Sequence, residues 1–469
     1  LLLTLFYSAL IGLFIVFFNR KIIQKLNLNI SFQSIKTLRP SLFIVLFFSA
    51  IVAVGIRGGT NLAPFNPSYV YFSNRPILNH TALNASWNLM YSSLQQGDEL
   101  NYQYLPENEE VNRINKLYSS APCNSDISIL DTNRPNIVLV VLEGWTSDII
   151  ESLGGVEGVA PNFDTLVKEG LLFTNFYASG DRTYKGVPAI LSGFPSLPIG
   201  SVIKYTSKME KLNSISEELS LQNYSTSFLY GGELSFANIR AYIQHCGFEK
   251  VIDKFRFLPS EYQGTKWGIH DHMLFDRAIL ELKTEKEPYT STLLTQSSHQ
   301  TYDVPMETKF EGADRNERFK NSVYYTDKSL GEFIQNAKQQ EWYKNTLFVF
   351  LADHGKNLPL NRQQWSPEMF KIPLLFYGEV IKDKFRGHTI EKYGSQTDLA
   401  RTLLNQVKIN QAEFQWSQDL LSCSTNFAFY NYSGGFGWVT PEVELVYDLK
   451  ANNLFYEKVK EGKEKPIDE

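Results

Sequence analysis

The sequence predicts an α/β protein with a doubly wound, mostly parallel sheet, antiparallel strands at its C-terminal end and transmembrane helices ahead of it. Three observations carry this expectation. Continuous apolar, β-branched runs of strand length recur along the chain, helix-like stretches separate them, and two uncharged apolar runs precede them all. Strands buried on both faces read as unbroken apolar runs, and their alternation with helices implies a parallel sheet.

The apolar runs come first. LLLTLFYSALIGLFIVFF (1–18) has 18 residues without a charge, about the length that crosses a bilayer core. SLFIVLFFSAIVAVGI (41–56) is shorter and equally uncharged. The loop between them carries Arg20, Lys21, Lys25, Lys36 and Arg39 and no acid, so the positive-inside rule makes it cytoplasmic and delivers everything after residue 56 to the outer side. Residues 1–56 are thus expected to be two transmembrane helices of a multi-pass protein in the bacterial cytoplasmic (inner) membrane, with the soluble part extracytoplasmic or periplasmic. The chain opens on Leu rather than Met, which reads as a truncated membrane domain.

Residues 57–130 form a connector. LAPFNPSYVYFSNRP suits an irregular segment, and NHTALNASWNLMYSSL suits either an amphipathic helix at lipid headgroups or a helix packed on the following domain. The main domain spans 131–425. Its strand runs are NIVLVVLEGW (136–145), STSFLYGG (225–232), TSTLLTQSSH (290–299), NTLFVFLADHG (345–355) and IPLLFYG (372–378), with helical stretches such as PNFDTLVKEG and SVYYTDKSLGEFIQNAKQQ between them. Residues 426–469 add antiparallel strands, FAFYNYSGGFGWVT and VELVYDLKANN, and a charged tail.

Composition narrows the function classes. A hydrophobic content of 43% with 14% aromatics excludes a disordered chain, and a net charge of -5 suggests no nucleic-acid partner. Cys123, Cys246 and Cys423 are widely spaced, which excludes a disulfide framework or a zinc ribbon and leaves a single bridge open.

Polar residues stand at the carboxyl ends of the strand runs: Glu143 after VLVVL, Glu233 after FLYGG, His299 after LLTQSS, Asp353 and His354 after FVFLA. Ligands of open α/β sheets bind at that edge. A lone acid there also serves as a cap or turn residue, but Asp and His side by side before Gly place oxygen and nitrogen donors together. Carboxylates with one imidazole suit Mn²⁺, Mg²⁺ or Zn²⁺.

NIVLVVLEGW, APNFDTLVKEGLLFTNFYA, RTYKGVPAILSG and VFLADHG occur in an order that resembles the alkaline phosphatase/sulfatase superfamily. With WGIHDHMLFD and SSHQTYDVP, the chain is similar to its lipoteichoic acid synthase-like group of phosphoglycerol and phosphoethanolamine transferases. The resemblance covers residues 136–421 and implies an alkaline phosphatase/sulfatase-like fold. It also implies metal ligation by Glu143, Asp353, His354 and Thr183, with Thr183 as nucleophile, His299 at the substrate phosphate and Trp267 in the pocket. One divalent ion is implied, manganese before magnesium or zinc. The family's HGN…FWNR pattern appears as GGELSFANIR, so Glu233 and Asn238 hold equivalent places while Ile239 takes the Arg position beside Arg240.

The implied activity is membrane-anchored transfer of a phosphoglycerol-type or phosphoethanolamine headgroup from a membrane phospholipid to a glycolipid or envelope glycan or lipid hydroxyl, through a phospho-threonine. The lipid bilayer would be a partner, and Arg182 and Lys185 would bind phosphate oxygens unless they form ordinary surface ion pairs. Four alternatives stand beside this. Water in place of the acceptor gives a phosphodiesterase or phosphatase. A sulfatase requires Cys or Ser where Thr183 stands. A second metal could draw only on His270, Asp271 and His272, and a non-catalytic binding protein would not need the four residues of the metal set.

Overall fold

The structure, a computed structural model, describes residues 38–59, 64–73, 75–95, 105–118, 127–258, 260, 266–423 and 425–460. The chain divides into two compact units, Leu1–Tyr69 and Val70–Glu469. In the first, helix α1 runs over Leu38–Arg57.

Among the described residues no helix is long and apolar enough to cross a membrane. This corrects the expectation of transmembrane helices ahead of the fold, and with it the membrane-anchored function and the multi-pass localisation at the bacterial cytoplasmic membrane. The physical reason is length: the apolar run 41–56 makes about 24 Å of helix at 1.5 Å per residue, short of the roughly 30 Å hydrocarbon core. The other expected span, 1–18, and the basic loop up to Thr37 lie outside the described residues.

The second unit is built on an eight-stranded sheet of order β4-β3-β5-β1-β6-β7-β2-β8. The strands are β1 Asn136–Leu142, β2 Leu171–Tyr177, β3 Ser225–Tyr230, β4 Lys250–Ile252, β5 Tyr289–Leu294, β6 Thr346–Ala352, β7 Leu374–Tyr377 and β8 His388–Ser395. Five neighbouring pairs are parallel, and β7 alone runs antiparallel to both its neighbours, β6 and β2. A further sheet of order β12-β11-β10-β9 is antiparallel throughout, from β9 Ala428–Tyr432, β10 Gly435–Val439, β11 Val443–Asp448 and β12 Asn453–Val459. The α/β sheet and the antiparallel C-terminal strands therefore stand as the sequence predicts.

β1 and β6 sit at the centre, and all seven residues of each are buried. The helices between the strands include α2 Pro161–Val167, α3 Thr183–Ser192, α4 Asp271–Leu282 and α5 Arg315–Ala337. The N-terminus of α2 is tied to α5 by Asp327, whose carboxylate accepts the Asn162 and Phe163 backbone N–H groups at 2.9 and 2.8 Å. Those are donors that a helix's first turn otherwise leaves without partners. Cys423 is disulfide-bonded, and Cys246 is a buried free thiol.

Candidate active site

The β1–β6 register pairs Leu142 with Ala352, so the residues that follow, Glu143 and Asp353, leave the central strands side by side. Both are buried, as is His354. Asp353 Oδ1 accepts the Gly144 and His354 backbone N–H groups, each at 2.8 Å, while Oδ2 is buried without a hydrogen-bond partner. His354 Nδ1 lies 2.8 Å from the Gly355 carbonyl. Only an N–H satisfies a carbonyl, so Nδ1 donates there and Nε2 is the nitrogen left facing the two carboxylates. That Nε2 stands 3.6 Å from Glu143 Oε1 and 3.7 Å from Asp353 Oδ2. One ligand atom from each of the three residues falls within 4.8 Å of the others. An orphaned buried carboxylate oxygen, a second carboxylate and an imidazole nitrogen converging on one point fit a divalent cation.

Thr183 opens α3 directly after the turn that follows β2, and its Oγ1 donates to Glu143 Oε2 at 3.2 Å. Two contacts press this turn against the end of β6. A Cβ on Gly186 would lie 1.7 Å from the Asp353 carbonyl oxygen, so only glycine allows the helix so close. The buried Gln396 donates through Nε2 to the Ala352 and Asp353 carbonyls, both at 2.7 Å, and accepts the Ser179 N–H at 2.8 Å.

The electrostatics follow from burial. Burial by itself would raise the Glu143 carboxyl, but the nearby His354, Lys356 and His299 outweigh it and hold it at about 2. Asp353 is pushed up to about 6, first by burial and then by the Glu143 charge. Two carboxylates crowded in low dielectric resist ionising together, a conflict that a divalent ion removes.

The remaining predicted residues fall into two groups. His299 and Trp267 face each other, ring centroids 4.4 Å apart, and both lie within hydrogen-bond reach of the Gln300 carbonyl. Phe236 meets Trp267 edge-on at 6.4 Å. The others have protein partners. Lys185, only 4% exposed, pairs with Asp181 at 3.0 Å, one helical turn away. Arg182 is exposed and donates to the Asp181 carbonyl. Glu233 pairs with Lys254 at 2.7 Å and accepts the Ser235 hydroxyl. Asn238 is buried, bonded to the Ile203 carbonyl, in a left-handed conformation with φ 69°. Ile239 packs in the core and Arg240 pairs with Asp253.

Nor does the IHDH stretch supply a second metal set. Asp271 is fully buried and bonded by the Gln296 and Ser297 N–H groups and the Thr326 hydroxyl, and among the described residues the one metal-compatible group of three is Glu143, Asp353 and His354.

Sequence reasoning missed Lys356, whose Nζ lies 3.6 Å from Glu143 Oε1. Its signal was its position two residues past His354. Gln396 offered none.

Comparison with known proteins agrees with this architecture. A family model described as Sulfatase matches residues 135–409. The lipoteichoic acid synthase-like protein YvgJ of Bacillus subtilis is 22% identical over 310 residues, covering 61% of this chain and 50% of that protein. Two crystal structures superpose well. An alkaline phosphatase superfamily protein from Vibrio parahaemolyticus has a TM-score of 0.66 at 25% identity, covering 77% of this chain and 93% of that one. The lipoteichoic acid synthase LtaP of Listeria monocytogenes has a TM-score of 0.59 at 19% identity, covering 74% and 92%. This chain spans about half the length of the relatives it matches.

Proposed function

The chain belongs to the sulfatase family, in the alkaline phosphatase/sulfatase superfamily and related to lipoteichoic acid synthase-like proteins, and from that premise we propose that it is a metal-dependent phosphotransferase acting through Thr183. The observation that carries this reading is the Thr183 hydroxyl at the head of α3, 3.2 Å from Glu143 and beside the three gathered ligand atoms. Sulfate-ester chemistry in this family needs Cys or Ser oxidised to formylglycine. Threonine carries a methyl on Cβ and cannot give that aldehyde.

Glu143, Asp353, His354 and Thr183 would hold a divalent ion, manganese by the family resemblance with magnesium or zinc as alternatives, which would supply positive charge to lower a hydroxyl pKa and neutralise a phosphoryl group. Thr183 Oγ1 attacks phosphorus in line as the alkoxide, its proton having passed to solvent. The Oγ1–P bond forms as the P–O bond to the leaving alcohol breaks. His299 as the imidazolium, bonded through Nδ1 to the Gln300 carbonyl, gives its Nε2 proton to that alkoxide. An acceptor hydroxyl reverses the sequence and frees Thr183. The donor is a phospholipid with a phosphoglycerol-type or phosphoethanolamine headgroup, and the acceptor a glycolipid or envelope glycan, in line with the names of the relatives. Trp267, Phe236 and His299 line the headgroup side, with Arg182, Glu233 and Asn238 around it and Lys185 holding the turn through Asp181.

The test uses phosphatidylglycerol and phosphatidylethanolamine with labelled headgroups, in micelles with Mn²⁺. Thr183→Ala should lower headgroup release at least about a thousandfold and abolish a phosphoglycerol- or phosphoethanolamine-sized mass adduct on the 178–192 segment. A mutant as active as wild type would refute the threonine route. Release into water alone, with no transfer to glycolipid, would make the protein the hydrolase.

A further inference from the structure

Lys356 sits on the loop that leaves β6, two residues past His354, and its ammonium is built into the site rather than waving over it. Its side chain is only 15% exposed. The Nζ donates to the Ser298 carbonyl at 3.2 Å, next to His299. It lies 5.5 Å from the centre of the Tyr302 ring and 5.7 Å from that of Phe319, contacts that hold a cation in place. Two backbone conformations make room for it. Gly144 has φ +64°, and a Cβ there would stand 2.8 Å from the Nζ. Tyr302 adopts φ 66°, a left-handed conformation costly for a bulky residue and typical of strain kept at functional sites.

The ammonium has three donors, and one is taken by Ser298. Glu143 Oε1, at 3.6 Å, is within ion-pair range but beyond hydrogen-bond length, so it consumes none. Thr183 Oγ1 approaches the other oxygen of the same carboxylate at 3.2 Å. The hydroxyl and the ammonium therefore flank one carboxylate from its two sides, and a phosphoryl group attacked by the hydroxyl would bring its oxygens into the space between them.

We propose that Lys356 is a catalytic residue of this site, whose ammonium binds a non-bridging oxygen of the phosphoryl group passing to Thr183. The assignment rests on the reading of the site as a phosphoryl-transfer centre. Bond making and breaking stay with Thr183 and the leaving alkoxide, and Lys356 takes part in neither, acting as a fixed charge where negative charge grows. Because Glu143 also touches it, the test must separate this role from support of the metal ligands.

Lys356→Met and Lys356→Arg are compared with wild type on bis(4-nitrophenyl) phosphate in Mn²⁺. Manganese content is read by elemental analysis and inorganic phosphate binding by calorimetry. The expected result is a kcat about a hundredfold or more lower in Lys356→Met, a smaller loss in Lys356→Arg, unchanged metal content and phosphate affinity at least tenfold weaker. A kcat and phosphate affinity within threefold of wild type would overturn the assignment. So would a loss of activity matched by loss of manganese, since Lys356 would then act only through Glu143. Should wild type fail to label Thr183, the transfer reading falls. Phosphate binding then decides Lys356 alone, and equal affinity in wild type and Lys356→Met counts against it.

Discussion

At Gly186 one hydrogen atom decides whether α3 can reach the metal ligands. The obstacle to a side chain is the Asp353 carbonyl, 1.7 Å from where a Cβ would stand, and a backbone atom cannot swing aside. The backbone here is not left-handed, so the constraint is close approach alone. Gly186→Ala should push the first turn of α3 away from β6, opening the contact between Thr183 and Glu143. We expect headgroup release to fall at least about a hundredfold, because a displacement near 1 Å at a reacting group costs that much. The melting temperature should fall as well, with far-UV circular dichroism retained. An alanine variant of wild-type activity would mean that Thr183 is not held by this packing. Gly355 meets a similar obstacle, the Met369 carbonyl at 1.8 Å, so the glycine of the DHG stretch serves packing as much as turning.

Between elements, Gln396 does what no single strand can. Its amide bridges the end of β6, through the Ala352 and Asp353 carbonyls, to Ser179 in the turn that leads to Thr183. Gln396→Met keeps the volume and removes all three bonds, leaving buried backbone groups that cost about 1–3 kcal/mol each when unsatisfied. We expect a lower denaturation midpoint and a drop in kcat larger than any change in KM, measured on the same soluble diester. A variant destabilised yet fully active would show the bridge to be structural only. The sequence pointed to Glu143, Asp353 and His354 because buried parallel strands are apolar to their ends, and the first polar residues then mark the functional edge. It did not point to Gln396, since a satisfied buried amide looks like any surface glutamine. β8 was hidden too: HTIEKYGS holds no continuous apolar run, because this edge strand is exposed at its start and buried only at its end. Lys185 reads as a phosphate ligand from its place beside Thr183, although Asp181, four residues earlier, already offers it an ion-pair partner at helical spacing. The run 41–56 suits a membrane by composition, while crossing a bilayer is decided by length.

For the molecule as a whole, the crowded carboxylates link metal, folding and pH. Without metal, Asp353 is pushed up to about 6 by burial and by Glu143, above its ordinary value. A raised carboxyl favours the folded state at low pH, so its contribution is fully present below about pH 4 and is lost as pH rises through about 6. Glu143, held at about 2, has the opposite sign, and its contribution is lost as pH falls from about 4.5 toward 2, almost wholly below this window. The metal-free protein should therefore lose stability between pH 4 and 6 from Asp353, together with Asp327, also raised to about 6 by burial. Asp327 is remote from the metal ligands in sequence and bonded to α2, so it contributes alike with or without metal. The difference between the two states isolates the metal site. Binding to the folded state alone raises stability by about 2.7 kcal/mol at a hundredfold excess over Kd. Because ligation needs Asp353 ionised, that gain should grow from pH 5 to pH 7. We expect the melting-temperature increase on adding Mn²⁺ to chelator-treated protein to be small at pH 5 and several degrees at pH 7. In Asp353→Asn it should be absent at both. A pH-independent increase, or one that survives in Asp353→Asn, would place the ion elsewhere.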